Sequence, residues 1–266
     1  MRLLEGVLSN GRKMMQQGHI DDASISIRLT RKCGFYELYI KRLMDIFCSL
    51  AAILVFSWLY IIVAILVRVK LGSPVLFKQP RPGKIDPKTG REKIFYMYKF
   101  RTMSNERDEN GNLLPDDVRL GKFGKALRAT SLDELPEAFN ILKGDMSIIG
   151  PRPQLVRDMV FMTDEQRMRH TAKPGLSGLA QVNGRNDISW EEKLNWDLKY
   201  IENVSFLGDV KIVLQTVVKA FVKQEGITDG DMATAYDYGD WLLKKGKVTK
   251  EEYEKKQEKA KSLLKM

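Results

Sequence analysis

An adjacent pair of acids, Asp133-Glu134, is the part of the sequence best suited to chemistry. A carboxylate can act as a nucleophile or bind a metal ion, and a nearby Gly-Pro-Arg-Pro turn would hold Arg152 in a fixed direction. Carboxylates beside a pre-oriented guanidinium suit phosphoryl transfer. The same spacing also allows a structural interpretation, in which Ser131 and Glu134 form a capping box at a helix start. The residues alone leave both interpretations open.

The overall charge predicts attraction to anions, because the 266 residues carry a net charge of +10 and the pI is near 9.4. Charge does not choose between nucleic acid, anionic lipid and nucleotide substrates. No pattern of stacking aromatic residues in a basic groove stands out, so we expect no nucleic-acid partner. Cys33 and Cys48 lack metal-ligand spacing and predict no disulfide framework. His170 lies in a basic stretch and is interpreted as part of a solvated helix face.

An uncharged apolar segment over residues 46–67 is long enough, at about 1.5 Å per residue, to cross a hydrocarbon core of about 30 Å. Basic residues flank both ends, whereas the positive-inside rule favours one flank poor in them. Trp58 and Tyr60 lie in the middle, although such side chains favour membrane interfaces. Both features fit a re-entrant helix that bends near Ser57, whose hydroxyl could bond to a carbonyl one turn earlier. A spanning helix is the alternative.

The elements that must position the acid pair follow this segment. Residues 75–80 and 94–101 are predicted to be two strands of a hairpin. Lys99 and Arg101 share one face of the second strand, so they either line an anion site or lie in solvent. The region 120–140, which contains the acid pair, is predicted to be mostly helical.

Helices are also predicted nearer the C-terminus. Two amphipathic helices cover 190–203 and 206–223, and the second suits either a membrane surface or the protein core. Thr249 and Glu252 form a cap signal before a heavily charged helix. We therefore predict an α+β fold that is mostly helical, with a small β-hairpin or sheet. The family resemblance described below adds a membrane-embedded re-entrant helix and a cytoplasmic catalytic domain to this prediction.

Four regions follow from these patterns. They are an N-terminal arm at 1–38, a membrane re-entrant helix at 39–70, a catalytic domain with interfacial amphipathic helices at 71–226 and a charged helical tail at 227–266. The start of the tail, residues 241–253, resembles short helical oligomerisation modules of bacterial proteins. A second copy of the chain is therefore one predicted partner, and a solvated tail is the alternative.

Eight short motifs follow one another between residues 38 and 225. They are Lys41-Arg-Leu-Met-Asp45, Gln79-Pro-Arg-Pro-Gly83, Tyr98-Lys-Phe-Arg-Thr-Met103, Arg119-Leu-Gly-Lys-Phe-Gly124, Ser131-Leu-Asp-Glu-Leu-Pro136, Lys143-Gly-Asp-Met-Ser147, Gly150-Pro-Arg-Pro153 and Lys173-Pro-Gly-Leu-Ser-Gly-Leu-Ala-Gln-Val-Asn-Gly-Arg185. Together they resemble the bacterial sugar transferases, the monotopic polyprenyl-phosphate phosphoglycosyl transferases, in their small form without a multi-span N-terminal region. That family breaks its re-entrant helix at a Ser-Pro pair, whereas this chain has Ser57-Trp58. A re-entrant helix is still expected, because both flanks are basic.

The resemblance implies a reaction. A nucleoside diphosphate sugar, usually a UDP-sugar, would donate its sugar-1-phosphate to undecaprenyl phosphate and release UMP, as the first membrane step of a surface glycan pathway. The matching acid pair would place the nucleophile at Asp133, with a covalent phospho-sugar intermediate, and Glu134 would assist as acid or base. Mg²⁺ would bind at Asp133 and the diphosphate. A helix N-terminus would keep Asp133 ionised.

The resemblance also implies binding residues and partners. Arg128 and Arg152 are candidates for phosphate contacts, because bidentate guanidinium geometry suits phosphate. Lys99 and Arg101 join them as cations of the second strand. Candidates for nucleotide or sugar contacts are Pro151, Pro153, Gln181, Asn183 and Arg185. The expected partners are undecaprenyl phosphate, a UDP-sugar and anionic lipid, at the cytoplasmic face of the bacterial inner membrane.

Two other functions compete with this one. A membrane-anchored basic binding protein without catalysis would explain the net charge and the apolar segment, but it leaves the acid pair without a role. A glycosyl transferase that makes a monophosphate-linked lipid would release UDP in place of UMP. The identity of the released nucleotide therefore separates all three.

Overall fold

The fold is α+β and mostly helical, with two small two-stranded sheets, in a computed structural model that describes residues 31–184, 188–219 and 236–265. The longer helices are α1 (Lys41–Val55), α2 (Ser57–Leu71), α4 (Lys122–Ala129), α5 (Glu137–Lys143), α9 (Trp190–Glu202), α10 (Phe206–Val218), α11 (Tyr238–Lys244) and α12 (Lys250–Leu263). The four-residue helices are α3 (Asp116–Arg119), α6 (Val156–Met159), α7 (Asp164–Arg167) and α8 (Leu179–Val182). The strands are β1 (Leu76–Ile85), β2 (Glu92–Phe100), β3 (Ser147–Ile149) and β4 (Gly175–Ser177). The predicted α+β, mostly helical fold with a small β-hairpin is confirmed, whereas the membrane embedding of the re-entrant helix stays a prediction.

Helices α1 and α2 form a bent pair that carries the apolar segment. The helical run Tyr36–Val55 and α2 meet at 64°, with the break at Phe56, beside Ser57. The Phe56 carbonyl accepts hydrogen bonds from the N–H groups of Leu59 and Tyr60 in the first turn of α2, at 2.9 and 3.1 Å. Among the described residues, no single helix is long and apolar enough to cross a membrane, whereas this bent pair passes by length and composition.

The bent pair is fixed to the rest of the chain by polar and apolar contacts. On α1, the Asp45 Oδ1 accepts hydrogen bonds from the Ser147 hydroxyl at 3.0 Å and the Ile148 N–H at 2.9 Å. On α2, Val63 and Val67 are buried in a cluster that also contains Phe100 of β2 and Leu127 of α4. Both halves of the pair therefore have a defined position relative to the predicted catalytic region.

Strands β1 and β2 form the predicted antiparallel hairpin, but both extend beyond the predicted ends. Leu76 lies opposite Phe100, and the register shifts between Pro82 and Ile85. The prediction ended the first strand at Pro80 and began the second at Ile94, whereas β1 continues to Ile85 and β2 begins at Glu92. A two-stranded sheet tolerates proline, since each strand has an edge where no donor is needed.

Strands β3 and β4 form a parallel pair beside the Gly-Pro-Arg-Pro turn. The Gly150 N–H donates to the Ser177 carbonyl at 2.9 Å, and the Gly175 N–H donates to the Pro151 carbonyl at 3.0 Å. A Cβ atom on Gly175 would lie 2.1 Å from the Gly150 nitrogen, so only glycine allows this approach. The glycine-rich stretch that begins at Lys173 thus packs against the turn that carries Arg152.

The C-terminal helices pack onto their own chain through α11, while most residues of α12 are exposed. One buried cluster unites α11 with the middle of the chain: Phe161, Met162, Leu194, Tyr238 and Leu242. The predicted cap before α12 is confirmed, because the Thr249 hydroxyl accepts from the Glu252 N–H at 3.1 Å. The two helices predicted over 190–203 and 206–223 are present as α9 and α10. Residues 1–30, which make up most of the predicted arm, and 220–235, which contain the predicted start of the tail, lie outside the described residues.

Candidate active site

The acid pair lies on a 3₁₀ turn, Leu132–Glu134, between α4 and α5. The predicted capping box does not form, because Ser131 adopts a left-handed conformation (φ 55°, ψ 17°) and its side chain makes no capping bond. An α-helix cannot run through this turn, since Pro136 has no N–H to donate to the carbonyl four residues earlier. A left-handed serine costs about 1–2 kcal/mol, and such strain is often concentrated at functional sites.

Glu134 is the centre of an ion-pair cluster. The Lys99 Nζ lies 2.6 Å from its Oε1, and the Arg152 guanidinium binds the same oxygen. Burial works to raise the pKa of Glu134, but Arg152 and Lys99 outweigh it and hold that pKa well below its usual range. Glu134 is therefore ionised, and it fixes both cations next to Asp133.

Asp133 is buried, and its electrostatic surroundings differ from those of Glu134. Burial raises the pKa of Asp133, the negative charge of Glu134 adds to this effect, and Lys99, Arg128 and Arg152 oppose it. The predicted cause of its ionisation, a helix N-terminus, is wrong, because the residue lies on a 3₁₀ turn. Within the described part of the chain, neither oxygen of Asp133 accepts a hydrogen bond, so both remain available to a ligand.

Two of the predicted phosphate contacts have very different positions. Arg128 donates from Nε to the Thr102 hydroxyl at 3.1 Å, which leaves its terminal nitrogens for other partners. Arg101 is buried, and its guanidinium donates to the carbonyls of Leu71 and of Ser73, the latter at 3.0 Å. These bonds satisfy carbonyls at the end of α2, so Arg101 has a structural role, while its role in phosphate binding stays a prediction.

The turn that carries Arg152 is held by buried arginines. The Arg152 carbonyl accepts from the Arg169 Nη2 at 2.6 Å, and the Pro153 carbonyl accepts from the Arg81 Nη1 at 3.2 Å. Arg169 is 1% exposed and His170 is 4% exposed, so the prediction of a solvated basic face here is wrong. The physical reason is pairing, because Arg169 also binds Asp197, at 2.6 Å from Nη2.

Sequence reasoning gave no role to Arg169, because its partners are distant along the chain. Arg81 carried a weak signal, as it lies within the quoted Gln79-Pro-Arg-Pro motif. Burial lowers the pKa of Arg81 to about 10, and the neighbouring charge of Arg152 acts in the same direction. Both arginines position the turn of residues 150–153 that carries Arg152, called the catalytic turn below.

A cavity of about 830 Å³ brings most of the predicted residues together. The predicted residues in its wall are Asp133, Glu134, Arg128, Arg152, Lys99, Arg101 and Gln181. A volume of this size suits a drug-sized or nucleotide-sized ligand. The Gln181 side chain has no hydrogen-bond partner at either polar atom among the described residues, which leaves it available to such a ligand.

Three residues of the predicted site do not reach the cavity wall in the described structure, and a fourth lies outside it. Pro151 and Pro153 are buried in the turn, where they fix its shape through their carbonyls. Asn183 donates from Nδ2 to the Leu179 carbonyl at 2.7 Å and so stabilises the end of α8. Arg185 lies outside the described residues.

The donor set near Asp133 fits a Mg²⁺ ion that takes most of its ligands from a substrate. No group of three or more His, Cys, Asp or Glu side chains within the described ranges could hold a metal by itself. Mg²⁺ often binds through one or two carboxylates together with phosphate oxygens and water. The free carboxylate of Asp133 meets that requirement, whereas Glu134 is already neutralised by Lys99 and Arg152.

Comparison with known proteins matches this arrangement to one family. The family model described as bacterial sugar transferase matches residues 36–223. An uncharacterized sugar transferase of Bacillus subtilis, EpsL, is 47% identical over 198 residues, which cover 74% of this chain and 95% of EpsL.

Two longer relatives carry more specific names. The UDP-glucose:undecaprenyl-phosphate glucose-1-phosphate transferase of Klebsiella pneumoniae is 36% identical over 71% of this chain. The UDP-N-acetylgalactosamine-undecaprenyl-phosphate N-acetylgalactosaminephosphotransferase of Aeromonas hydrophila is 38% identical over 67% of this chain. The chain spans only 41% and 43% of these two proteins. On the strength of the family match and of EpsL, this chain belongs to the bacterial sugar transferase family.

Proposed function

We propose that this sugar transferase moves a sugar-1-phosphate from a UDP-sugar to undecaprenyl phosphate, with release of UMP, through a covalent intermediate on Asp133. The observation that carries the proposal is the setting of Asp133. Its carboxylate lies in the cavity wall with no hydrogen-bond partner among the described residues, beside three cations, Lys99, Arg128 and Arg152. The names of the relatives, which act on UDP-sugars and undecaprenyl phosphate, support the choice of substrates.

The first step is attack by an Asp133 oxygen on the phosphorus that carries the sugar. An acyl-phosphate bond forms, the bond from that phosphorus to the bridging oxygen breaks, and UMP leaves with the electron pair. In the second step an oxygen of undecaprenyl phosphate attacks the same phosphorus and returns the carboxylate of Asp133. A phosphate nucleophile at neutral pH needs no general base, which agrees with the lowered pKa and ion-paired state of Glu134.

The protein groups around Asp133 stabilise the charge of these steps. Arg128 and Arg152 would bind the oxygens of the transferred phosphoryl group with donors that their present partners do not use. Glu134 holds the guanidinium of Arg152 in place and binds Lys99 through the same carboxylate oxygen. Mg²⁺, held by Asp133 and the diphosphate, would neutralise the leaving UMP.

The same proposal places the bent pair in the inner membrane, with both ends at the cytoplasmic face and in contact with anionic lipid. The outer side of the pair is apolar, with Phe47, Trp58 and Val69 each more than half exposed. Helix α10 has a similar exposed face that includes Leu207 and Leu214. A shallow insertion of these faces would bring the cavity to the interface, where the phosphate of the acceptor lipid lies.

The test is the nucleotide released by detergent-solubilised protein with Mg²⁺, undecaprenyl phosphate and a panel of UDP-sugars. We expect UMP from the wild type and from Asp145→Asn, an acid outside the cavity wall, but none from Asp133→Asn. Release of UDP would show attack at the sugar carbon and contradict the mechanism. Folded protein that releases neither nucleotide from any donor would favour the binding-protein alternative.

A further inference from the structure

The C-terminal hairpin, defined as residues 236–263, brings its first two residues to the catalytic cavity. Tyr236 and Asp237 both belong to the cavity wall that contains Asp133. The hairpin is docked by its apolar side, where Tyr238 and Leu242 are buried against the middle of the chain. The cavity is thus partly built by a segment that begins about 100 residues after the acid pair.

Polar contacts fix the entry of the hairpin at the cavity. The Tyr238 N–H donates to the Asp158 Oδ1 at 2.8 Å, and the Trp190 Nε1 donates to the Tyr236 carbonyl at 2.9 Å. Asp158 and Trp190 are themselves part of the cavity wall. The positions of Tyr236 and Asp237 are therefore set by residues of the site.

Asp237 is held in place by an ion pair but can still accept a hydrogen bond from a ligand. Its Oδ2 lies 3.2 Å from the Arg157 Nε, and its side chain makes no capping bond although it occupies the N-cap position of α11. The neighbouring Asp240 also pairs with Arg157, at 2.7 Å, but it is not part of the cavity wall. The carboxylate of Asp240 thus anchors the hairpin, whereas the carboxylate of Asp237 lies where a ligand in the cavity can contact it.

This part of the wall has a different chemistry from the part around Asp133. The aromatic residues Tyr236 and Trp190 and the acids Asp237 and Asp197 all line the cavity. Asp197 is 2% exposed and is paired with Arg169, so Asp237 is the more accessible of the two acids. Carboxylates and aromatic faces suit a neutral ligand rich in hydroxyl groups, whereas the arginines near Asp133 suit phosphate.

The hairpin also lies outside the region that defines the family. The family match ends at residue 223, and the match to EpsL already covers 95% of that relative. The named donors of the other relatives share UDP and differ in the sugar, glucose in one and N-acetylgalactosamine in the other. The family region does not contain the hairpin. The part of the cavity wall that the hairpin forms is therefore best suited to contact the sugar, which is the part of the donor that varies.

We propose that the C-terminal hairpin forms part of the sugar subsite and that Asp237 is a specificity-determining residue. Its carboxylate accepts a hydrogen bond from a hydroxyl or amide N–H of the donor sugar. This inference rests on the proposed function, because it assigns sugar binding to one part of the same cavity wall.

The experiment compares full-length Asp237→Asn with the matched control Asp240→Asn, which removes the other charge bound to Arg157. The ratio of kcat/KM between the preferred UDP-sugar and its epimers should fall about tenfold or more in Asp237→Asn, because a hydrogen bond to the sugar has lost its charge. The ratio should stay unchanged in Asp240→Asn. Inhibition by UMP, which lacks the sugar, should be the same in all three proteins. Equal ratios in the two variants, or a parallel change in UMP inhibition, would overturn the proposal.

A second measurement separates this inference from the proposed function. Hydrogen exchange of the wild type should show that the preferred UDP-sugar, but not UMP, protects the backbone amides of residues 236–244. If no UDP-sugar in the panel supports turnover, the proposed reaction fails, and the same panel is then tested for binding alone. Protection by a UDP-sugar would still support the subsite, whereas its absence across the panel would exclude it.

Discussion

At the scale of single residues, the site depends on buried charges that hold other charges in place. Arg169 links the carbonyl of Arg152 to the carboxylate of Asp197, and both side chains of that ion pair are almost fully buried. Removing one partner of such a pair destabilises the protein, because the other charge then remains buried without compensation.

Removal of Arg169 should therefore destabilise the protein strongly. We expect Arg169→Met to lower the free energy of unfolding by about 3–5 kcal/mol, because the charge of Asp197 would remain uncompensated in the interior. Arg157→Met, which breaks two partly exposed ion pairs, should cost about 1 kcal/mol or less for each. The measurement is denaturant unfolding in detergent, and similar losses in both variants would contradict the assignment.

His170 predicts a pH dependence of stability. Burial lowers its pKa from the usual 6.5 to about 4, so the unfolded chain binds this proton more readily than the folded one. The contribution of neutral His170 to the free energy of unfolding is fully present above pH 6.5. It is lost as the pH falls towards 4, by about 3 kcal/mol in total. Unfolding curves of the wild type and His170→Gln should therefore converge in this range, and a constant difference from pH 4 to 7 would exclude the effect.

At the scale of elements, the short parallel pair of β3 and β4 sets the shape of the catalytic turn. Its strands approach so closely that Gly175 cannot carry a side chain. Gly175→Ala should destabilise the protein by about 3 kcal/mol and abolish UMP release, since the backbone around Gly150 must move. Gly121→Ala is the control, because a Cβ there meets no atom within 4 Å and its φ is −66°. Activity in Gly175→Ala equal to that of Gly121→Ala would refute this role.

The sequence predicted the elements better than their contacts. The acid pair and Arg152 lie 18 to 19 positions apart within quoted motifs, so their proximity was accessible to a local argument. The capping box failed because one local rule, the missing N–H of Pro136, overrode another. The pairing of Glu134 with Lys99 depends on how a hairpin packs against a turn, and hydrophobic periodicity does not specify such packing.

At the scale of the whole molecule, the proposed membrane insertion of the bent pair would decide how the cavity meets the membrane. The pair bends by 64° beside Ser57, although the proline that marks this bend in the family is replaced by Trp58. Among the described residues, the Ser57 hydroxyl makes no hydrogen bond to the preceding turn, so the predicted cause of the bend is not supported. The exposed apolar side of the pair still requires a covering, and a lipid bilayer supplies one.

The proposed re-entrant topology can be tested with single cysteines on both flanks of the pair. In a background without Cys33 and Cys48, Lys32→Cys and Lys70→Cys should resist a membrane-impermeant maleimide in intact cells. Both should react once the inner membrane is opened, because both flanks lie on the cytoplasmic side. A spanning helix would expose one of the two cysteines to the reagent before lysis.

The bonds of Arg101 to the end of α2 have a consequence beyond structural support. Arg101 belongs to the cavity wall and also holds the carbonyls of Leu71 and Ser73, so the cavity and the bent pair share one rigid joint. With the pair inserted as proposed, a thicker or thinner bilayer would tilt α2, and the joint would carry that tilt into the wall around Asp133. The enzyme would then respond mechanically to the thickness of the membrane it works in, without any regulatory ligand.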